Sequence, residues 1–240
     1  MYSVFSQTPK QSLTASSLLQ LQFLSRKHGF RIGKLQIFHP VNVDESIARG
    51  EWHTYHPFTK SFNYSDEIEI VNNQQDVFMD ISQAELYIEA TFNEENTDGK
   101  TGSCLLANNV GAFLFETITY ELNGKEIEKV RDPGLTSTVK SMLCFNEHES
   151  RALDVAGWNW PPSGTPVKSL HDGTTFNLLI PLNFLLGVFA EYSSAIMGKQ
   201  KLKLVRARND DNCYVNSTGN KKATITISSV ELNIFIPTTF

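Results

Sequence analysis

The stretch FETITYELNGKEIEKV, residues 115–130, decides the fold. Over Phe115–Leu122 the side chains alternate, with Ile118, Tyr120 and Leu122 on one side and Thr117, Thr119 and Glu121 on the other. A period of two is that of a strand with one buried and one wet face. Asn123-Gly124 follows at once, the dipeptide that best tolerates the positive φ angles of a type I′ turn, and Glu126–Val130 reads as the strand returning antiparallel. The same alternation recurs on either side of this hairpin. Ile68 and Ile70 alternate with Glu67 and Glu69 in Glu67–Val71, and Leu86, Ile88, Ala90 and Phe92 share one side of Ala84–Phe92. Further strands are predicted at 52–60, 175–182, 200–208 and 222–236, eight in all, nearly all short and bounded by turn residues. The fold class is all-β.

The last of these strands changes phase. Ala223, Ile225 and Ile227 are apolar at odd positions, whereas Val230, Leu232, Ile234 and Ile236 are apolar at even ones. One uninterrupted strand would bury one set and expose the other, so a β-bulge or bend is predicted at Ser228–Ser229. Two helical insertions interrupt the β pattern. The first is Leu135–Phe145, where Leu135, Val139, Met142 and Leu143 recur at helical spacing, with Asp132 as its cap and Pro133 in the first helical position. The second is Asn183–Tyr192, capped by Asn183 and with Phe184, Leu185, Val188 and Phe189 as its apolar face. Short helices in the connections of an antiparallel sheet point to a sandwich with long crossovers.

Composition sets outer limits. In 240 residues, 40% are hydrophobic and 20% charged, enough for a sizeable core and incompatible with a wholly disordered chain. No run of 18 apolar residues suggests a membrane-spanning helix. The three cysteines, Cys104, Cys144 and Cys213, form neither a disulfide framework nor a thiolate cluster, and read as reduced thiols of an intracellular protein. The net charge of −5 divides unevenly: the first acidic residue is Asp44, so Lys10, Arg26, Lys27, Arg31 and Lys34 give the leader +5, and the other 16 of the 21 basic side chains stand against all 26 acidic ones, −10. Leu13–Leu24 can form a short amphipathic helix, but the order of apolar and basic residues does not fit a secretory signal.

Candidate chemistry is sparse. His53 and His56 resemble a metal pair, but residues three apart on a strand point to opposite faces, and no further ligands stand at zinc spacing. Asn209-Asp210-Asp211-Asn212 lacks the glycine and distal glutamate of a calcium loop and reads as an exposed turn. Cys144 and His148 have no nucleophile context, and Cys144 reads as a small buried hydrophobe near the end of its helix. Lys201, Lys203, Arg206 and Arg208 do not make a clean basic stripe, and a solvated strand with local positive potential is expected. Trp158 and Trp160, in the loop WNWPP, could offer a partner-binding platform or pin their loop to the sandwich. The sequons at Asn63 and Asn216 lack a secretion signal. No enzyme signature, metal set or cofactor motif emerges, and a β-sandwich interaction or assembly protein remains.

The ordered segments HPVNVDESIARGEWHTYHPFTKSFNYSDEIEI, LLANNVGAFLFETITYELNGKEIEKVRDPGLTSTVKSML, AGWNWPP, FNLLIPLNFLLGVFAEY and KLKLVRARNDDN carry a resemblance from about His39 to Phe240. Together they resemble the N-terminal half of the major capsid proteins of polinton- and adintovirus-like elements. The resemblance implies an antiparallel eight-stranded jelly-roll sandwich with short loop helices over residues 38–240, one of two in a double jelly roll whose chains trimerise into capsomers. It implies that Asn109, Gly111, Phe115, Asn123 and Gly124 mark the central hairpin, that Asp132, Pro133 and Gly134 open the first loop helix, and that Pro181, Leu186 and Gly187 lie at the second. These are packing and turn positions. Its partners would be copies of itself and penton or minor capsid proteins, its place the virion. Residues 1–37 fall outside the resemblance and read as a basic arm or leader that could face a genome. A lectin-like or receptor-binding sandwich, and a single-jelly-roll minor capsid or penton protein, are the alternative readings.

Overall fold

The innermost pairing of the structure is that same hairpin. In the computed structural model, which describes residues 47–239 apart from 96–103, 160–167, 170–172 and 217–220, β5 (Phe115–Leu122) pairs with β6 (Lys125–Arg131). Asn123 and Gly124 have φ of 51° and 78°, as a type I′ turn requires. The remaining long strands nest around this pair in sequence order: β3 (Asp80–Glu94) with β8 (Thr174–Pro181), β2 (Glu67–Asn72) with β9 (Gln200–Arg206), and β1 (Ile47–Tyr55) with β11 (Ala223–Thr239). Lateral pairing of β11 with β3 and of β9 with β5 rolls the nested hairpin into two four-stranded sheets, ordered β1-β11-β3-β8 and β2-β9-β5-β6. Eight antiparallel strands in this order form a jelly roll.

Inner positions alternate along β2, β9, most of β3 and the second half of β8. Ile68, Ile70, Leu86, Ile88, Phe92, Ile118, Ile180, Leu202 and Leu204 lie between the sheets with almost no exposure. Each such side chain contributes about 1.5–3 kcal/mol on burial. The phase change in β11 is resolved by a bulge: Ile227 lies opposite Ala90 and Ser229 opposite Glu89, leaving Ser228 unpaired with its Oγ donating to the Glu89 carbonyl at 3.0 Å. Both apolar sets therefore face the core, and Ala223, Ile225, Ile227, Val230, Leu232, Ile234 and Ile236 are all buried. A second register shift falls between Asn233 and Phe235.

Three strands escaped the periodicity reading: β4 (Cys104–Leu106), β7 (Lys168–Ser169) and β10 (Tyr214–Asn216). Each belongs to a connection between long strands, and they pair with one another as a small third sheet, β10-β4-β7. At two or three residues they are too short to show alternation. The first strand lies earlier than predicted, at 47–55 rather than 52–60.

The helices depart from expectation in their caps. Helix α1 (Val110–Phe113) precedes β5 and α2 (Pro133–Cys144) follows β6. Pro133 does occupy the first turn of α2, but Asp132 has φ 49° and makes no side-chain cap; its peptide N–H donates to Glu116 and its carbonyl accepts from Thr136. The left-handed backbone carries the chain sharply off the edge strand. Past α2 come α3 (Glu147–Arg151), with a capping box between Asn146 and Glu149, and a single 3₁₀ turn at Asp154–Ala156. The second insertion is two short helices, α4 (Leu182–Leu185) and α5 (Gly187–Glu191), broken at Leu186, which is extended at φ −117° and ψ 132°. Pro181, not Asn183, precedes the first of them. Both pack against β3, α4 also against β8 and α5 against β6, so they bridge the sheets at the β6/β8 side of the sandwich.

Candidate functional site

Helix α2 is amphipathic in reverse. Its buried residues are Pro133, Gly134, Ser137 and Ser141, while the apolar series Leu135, Val139, Met142 and Leu143 faces outward, with Leu135 61% and Leu143 80% exposed. The periodicity is legible in the sequence, but it marks the free side. Small residues lie inward because the approach there is close. A Cβ on Gly134 would sit 2.2 Å from the Phe113 ring, and one on Gly111 in α1 would sit 2.5 Å from Ile180 Cδ1. Asn109, at φ 64° just before α1, joins the two helices: its Nδ2 is 2.7 Å from Ser137 Oγ, 2.9 Å from Thr138 Oγ1 and 3.2 Å from the Gly134 carbonyl. Ser137 and Ser141 return their own hydroxyl protons to the carbonyls of Pro133 and Ser137. The polar contacts of α2 are thus satisfied inside, and its apolar face is left outside.

The only charge on α2 is turned away from that face. Lys140 Nζ donates to the carbonyls of Asn183 and Phe184, at 3.3 and 3.4 Å, where α4 ends. At the start of α5 the polarity is opposite: Glu128 on β6 accepts from the peptide N–H groups of Gly187 and Val188, at 2.8 and 2.7 Å. These two side chains fix α2, α4 and α5 to the β6 edge. Beside them a shallow groove is lined by Ile127, Val188 and Tyr192.

Over residues 104–237, more than half of the chain, the sequence matches the family model described as Double jelly roll-like domain. The chain belongs to that family. This double jelly roll-like domain is similar to solved structures that include PBCV-1 VP54 fitted into a reconstruction of the virophage Sputnik (12% identity, TM-score 0.49, covering 85% of this chain and 46% of that one). Others are the Faustovirus major capsid protein (13%, 0.47, 95% and 63%) and the mavirus major capsid protein (8%, 0.43, 100% and 53%). The chain spans about half the length of the solved structures it matches. No curated protein matches it by sequence.

Within the double jelly roll-like domain the singled-out positions separate into three places. Only Asn123 and Gly124 form the hairpin turn, with Phe115 starting its first strand; Asn109 and Gly111 stand before it, joining α1 to α2 and to β8. Asp132 precedes α2, Pro133 and Gly134 are its first residues, and Pro181, Leu186 and Gly187 bound α4 and α5. Trp158 takes the second of its two readings and pins its loop to the sandwich: it is fully buried, its indole N–H donates to Ser150 Oγ at 3.3 Å, and its ring lies beside Phe184. Apolar area won over loop position there. Trp160 lies outside the described residues, as does the leader.

Three other expectations are corrected. Cys144 is exposed, because the end of α2 carries it to the outer side, whereas Cys104 and Cys213 are buried. Burial pushes the thiols of Cys104 and Cys213 up. The 209–212 segment is a turn, but Asp210 within it is buried and ion-paired with Arg206. Strand β9 is not a patch of positive potential either. Lys201 lies 3.2 Å from Glu69 and 3.3 Å from Glu121, Lys203 lies 2.5 Å from Glu67, and Arg208 lies 3.2 Å from Glu116. Carboxylates on β2 and β5 neutralise these cations, and hydrogen bonds to them raise the lysine pKa values. His53 lies opposite Ile234 on β1, and His56, past the strand end, is 3.8 Å from Glu231. Among the described residues no group of three His, Cys, Asp or Glu side chains is placed to hold a metal, and no helix is long and apolar enough to cross a membrane.

Proposed function

We propose that this chain is a capsid structural protein, supplying a jelly roll of a viral major capsid protein, and that its work is self-association into capsomers of an icosahedral shell. Membership of the double jelly roll-like family carries the reading. The outward apolar face of α2 supports it, since association is what such a face serves. The sequence resemblance to polinton- and adintovirus-like major capsid proteins supports placing the chain among those elements. In this reading residues 38–240 are the capsid domain, three full-length chains form a capsomer, and neighbouring capsomers and penton or minor capsid proteins are the partners. The site of action is the virion, after assembly inside the cell.

Residues 1–37 would then be a basic arm turned toward the genome, its cations neutralising phosphate with release of counterions. Light scattering and electron microscopy of the expressed protein, alone and with any adjoining coding sequence, test the main reading. Trimers and closed particles are expected; a protein that stays monomeric under assembly conditions and yields no particles overturns it. Particles lacking residues 1–37 are expected to package less nucleic acid, and unchanged content removes the arm's role.

A further inference from the structure

We infer that the free edge of β8 is a docking site for an extended segment of another protein, which joins the β1-β11-β3-β8 sheet as a further strand. That segment has apolar side chains at alternate positions and, between them, lysine or arginine residues spaced four apart. The inference does not depend on the assembly reading above.

Among the four sheet edges, β8 stands apart. The edge strands are β1 and β8 in one sheet and β2 and β6 in the other. An edge presents unpaired main-chain groups, and charges or bulges along it keep other chains away. Strand β1 contains Arg49 and Glu51 and shifts register near Ile47, and β2 contains Glu67 and Glu69. Strand β6 carries Lys125, Glu126, Glu128, Lys129 and Arg131, and its pairing with β5 skips Ile127. None of these devices is present in β8: TTFNLLIP is uncharged, and it pairs with β3 without a register shift from Thr174 to Pro181. Among the described residues no main-chain hydrogen bond reaches β8 from its far side. The 3₁₀ turn at Asp154–Ala156 packs near β8 without pairing to it, and its Val155 is 59% exposed. Apolar surface therefore adjoins the open main-chain groups.

Charge selects the occupant. Strands β3, β8 and β11 contain no lysine or arginine, whereas in the other sheet the cations of β9 neutralise the carboxylates of β2 and β5. On the outer face of β3, Glu89 lies opposite Asn177 and Glu85 opposite Pro181. Both carboxylates are half-buried and, among the described residues, neither has an ion pair. Burial pushes the Glu85 carboxyl up, the direction for a carboxylate with no cation beside it. An added strand lies two strand spacings, about 10 Å, from β3. Asn177 and Pro181 are short, so a lysine or arginine opposite each can extend over β8 and meet the carboxylate beyond. Asn177 and Pro181 are four residues apart, and the two cations have the same spacing. The residues between them alternate to the inner side of the sheet, where apolar side chains fit. In such strand addition, main-chain hydrogen bonds supply affinity and alternate side chains supply specificity.

The probe is a short fluorescent peptide in which valine alternates with lysine, threonine, lysine and threonine, titrated with the unaltered full-length chain. It is expected to bind and to slow amide exchange in β8. Replacing its lysines by glutamate should weaken binding by more than about tenfold. Glu85→Gln with Glu89→Gln should weaken binding of the lysine peptide by more than about fivefold while the melting temperature stays unchanged. Of two N-methylated versions, one for each parity of main-chain amide, only one should lose binding, because a strand bonds to its neighbour through every second amide. The inference is overturned if the chain does not bind the lysine peptide, or binds the lysine and glutamate peptides equally. Unchanged binding in the glutamine variant, protection confined to residues outside β8, or the two methylated versions behaving alike also overturns it. Light scattering on the same samples keeps the two readings separate. A chain that assembles yet fails these tests loses the docking site and keeps the capsid reading, and one that binds the peptide but never assembles does the reverse.

Discussion

Arg206 and Asp210 form an ion pair inside the sandwich, each side chain 1% exposed. The guanidinium also donates to the carbonyls of Leu114, at 2.8 Å, and Ile225, at 3.3 Å. The second carboxylate oxygen accepts from the Ile225 peptide at 2.7 Å and from the Tyr64 hydroxyl at 2.8 Å, and the Tyr64 ring lies beneath the guanidinium. One pair of charges thus ties the end of β9 to β11, to the residue before β5, and to the β1–β2 connection. Burial, and then the hydrogen bond to Asp210, raise the Tyr64 phenol above its ordinary range.

Removing either charge alone leaves the other buried and uncompensated. Asp210→Ala is expected to lower stability by about 3–5 kcal/mol, and the double variant Arg206→Met, Asp210→Leu to recover most of that loss. Urea unfolding of the single and double variants measures both. A single variant as stable as the parent would show that the pair contributes nothing.

The bulge at Ser228 sets which side of β11 is buried. Ser228→Ala removes one exposed hydrogen bond and should cost no more than about 1 kcal/mol. Deleting Ser228 instead shifts Val230, Leu232, Ile234 and Ile236 to the outer face, and the chain is expected not to fold. Amide exchange in β11 distinguishes the two outcomes.

Gly134→Ala and Gly111→Ala force a methyl group against Phe113 and Ile180 respectively. Each should destabilise by about 1–3 kcal/mol. Phe113→Leu is expected to relieve Gly134→Ala and not Gly111→Ala, so thermal melts of the four combinations identify the clash.

Alkali should weaken the ladder of charges on β9. Lys201 and Lys203 have folded pKa values raised by their carboxylate partners, so their stabilising contribution is present below the unfolded lysine value and is lost as pH rises through the folded one. The difference in melting temperature between the parent and Lys201→Met, Lys203→Met should narrow above about pH 10.5. A constant difference across that range would assign the lysines a packing role only.

Thiol chemistry should divide the cysteines. In the native protein Cys144 is expected to react with a maleimide within minutes, while Cys104 and Cys213, buried and held as neutral thiols, react only on unfolding. Peptide mapping of the labelled sites checks this.

What was legible in the sequence follows from period and turn chemistry. Alternation along Ala84–Phe92 and the Asn123-Gly124 turn specify strands and a hairpin locally, and the parity change in β11 leaves a bulge as the simple solution. The α2 face shows the limit of such reading. Helical spacing announces a stripe but not its direction, and only the packing of Gly134, Ser137 and Asn109 reveals that the small polar side is the inner one. Arg206 lay in plain view between apolar neighbours, yet its partner, four residues on in a turn, is brought inside by tertiary structure alone.

The nesting of the long strands bears on how the chain folds. Strand β11 stands between β1 and β3, so Trp52 finds Phe235 and Leu86 finds Leu232 across most of the chain length. Sheet one therefore has no continuous centre until Ala223–Thr239 has been synthesised and inserted. Until then β1 and β3 present open edges, and the loop closure that joins them has a high entropic cost. Such high contact order implies slow folding, with the 115–131 hairpin able to form early and the flank that bears Trp52 completed last.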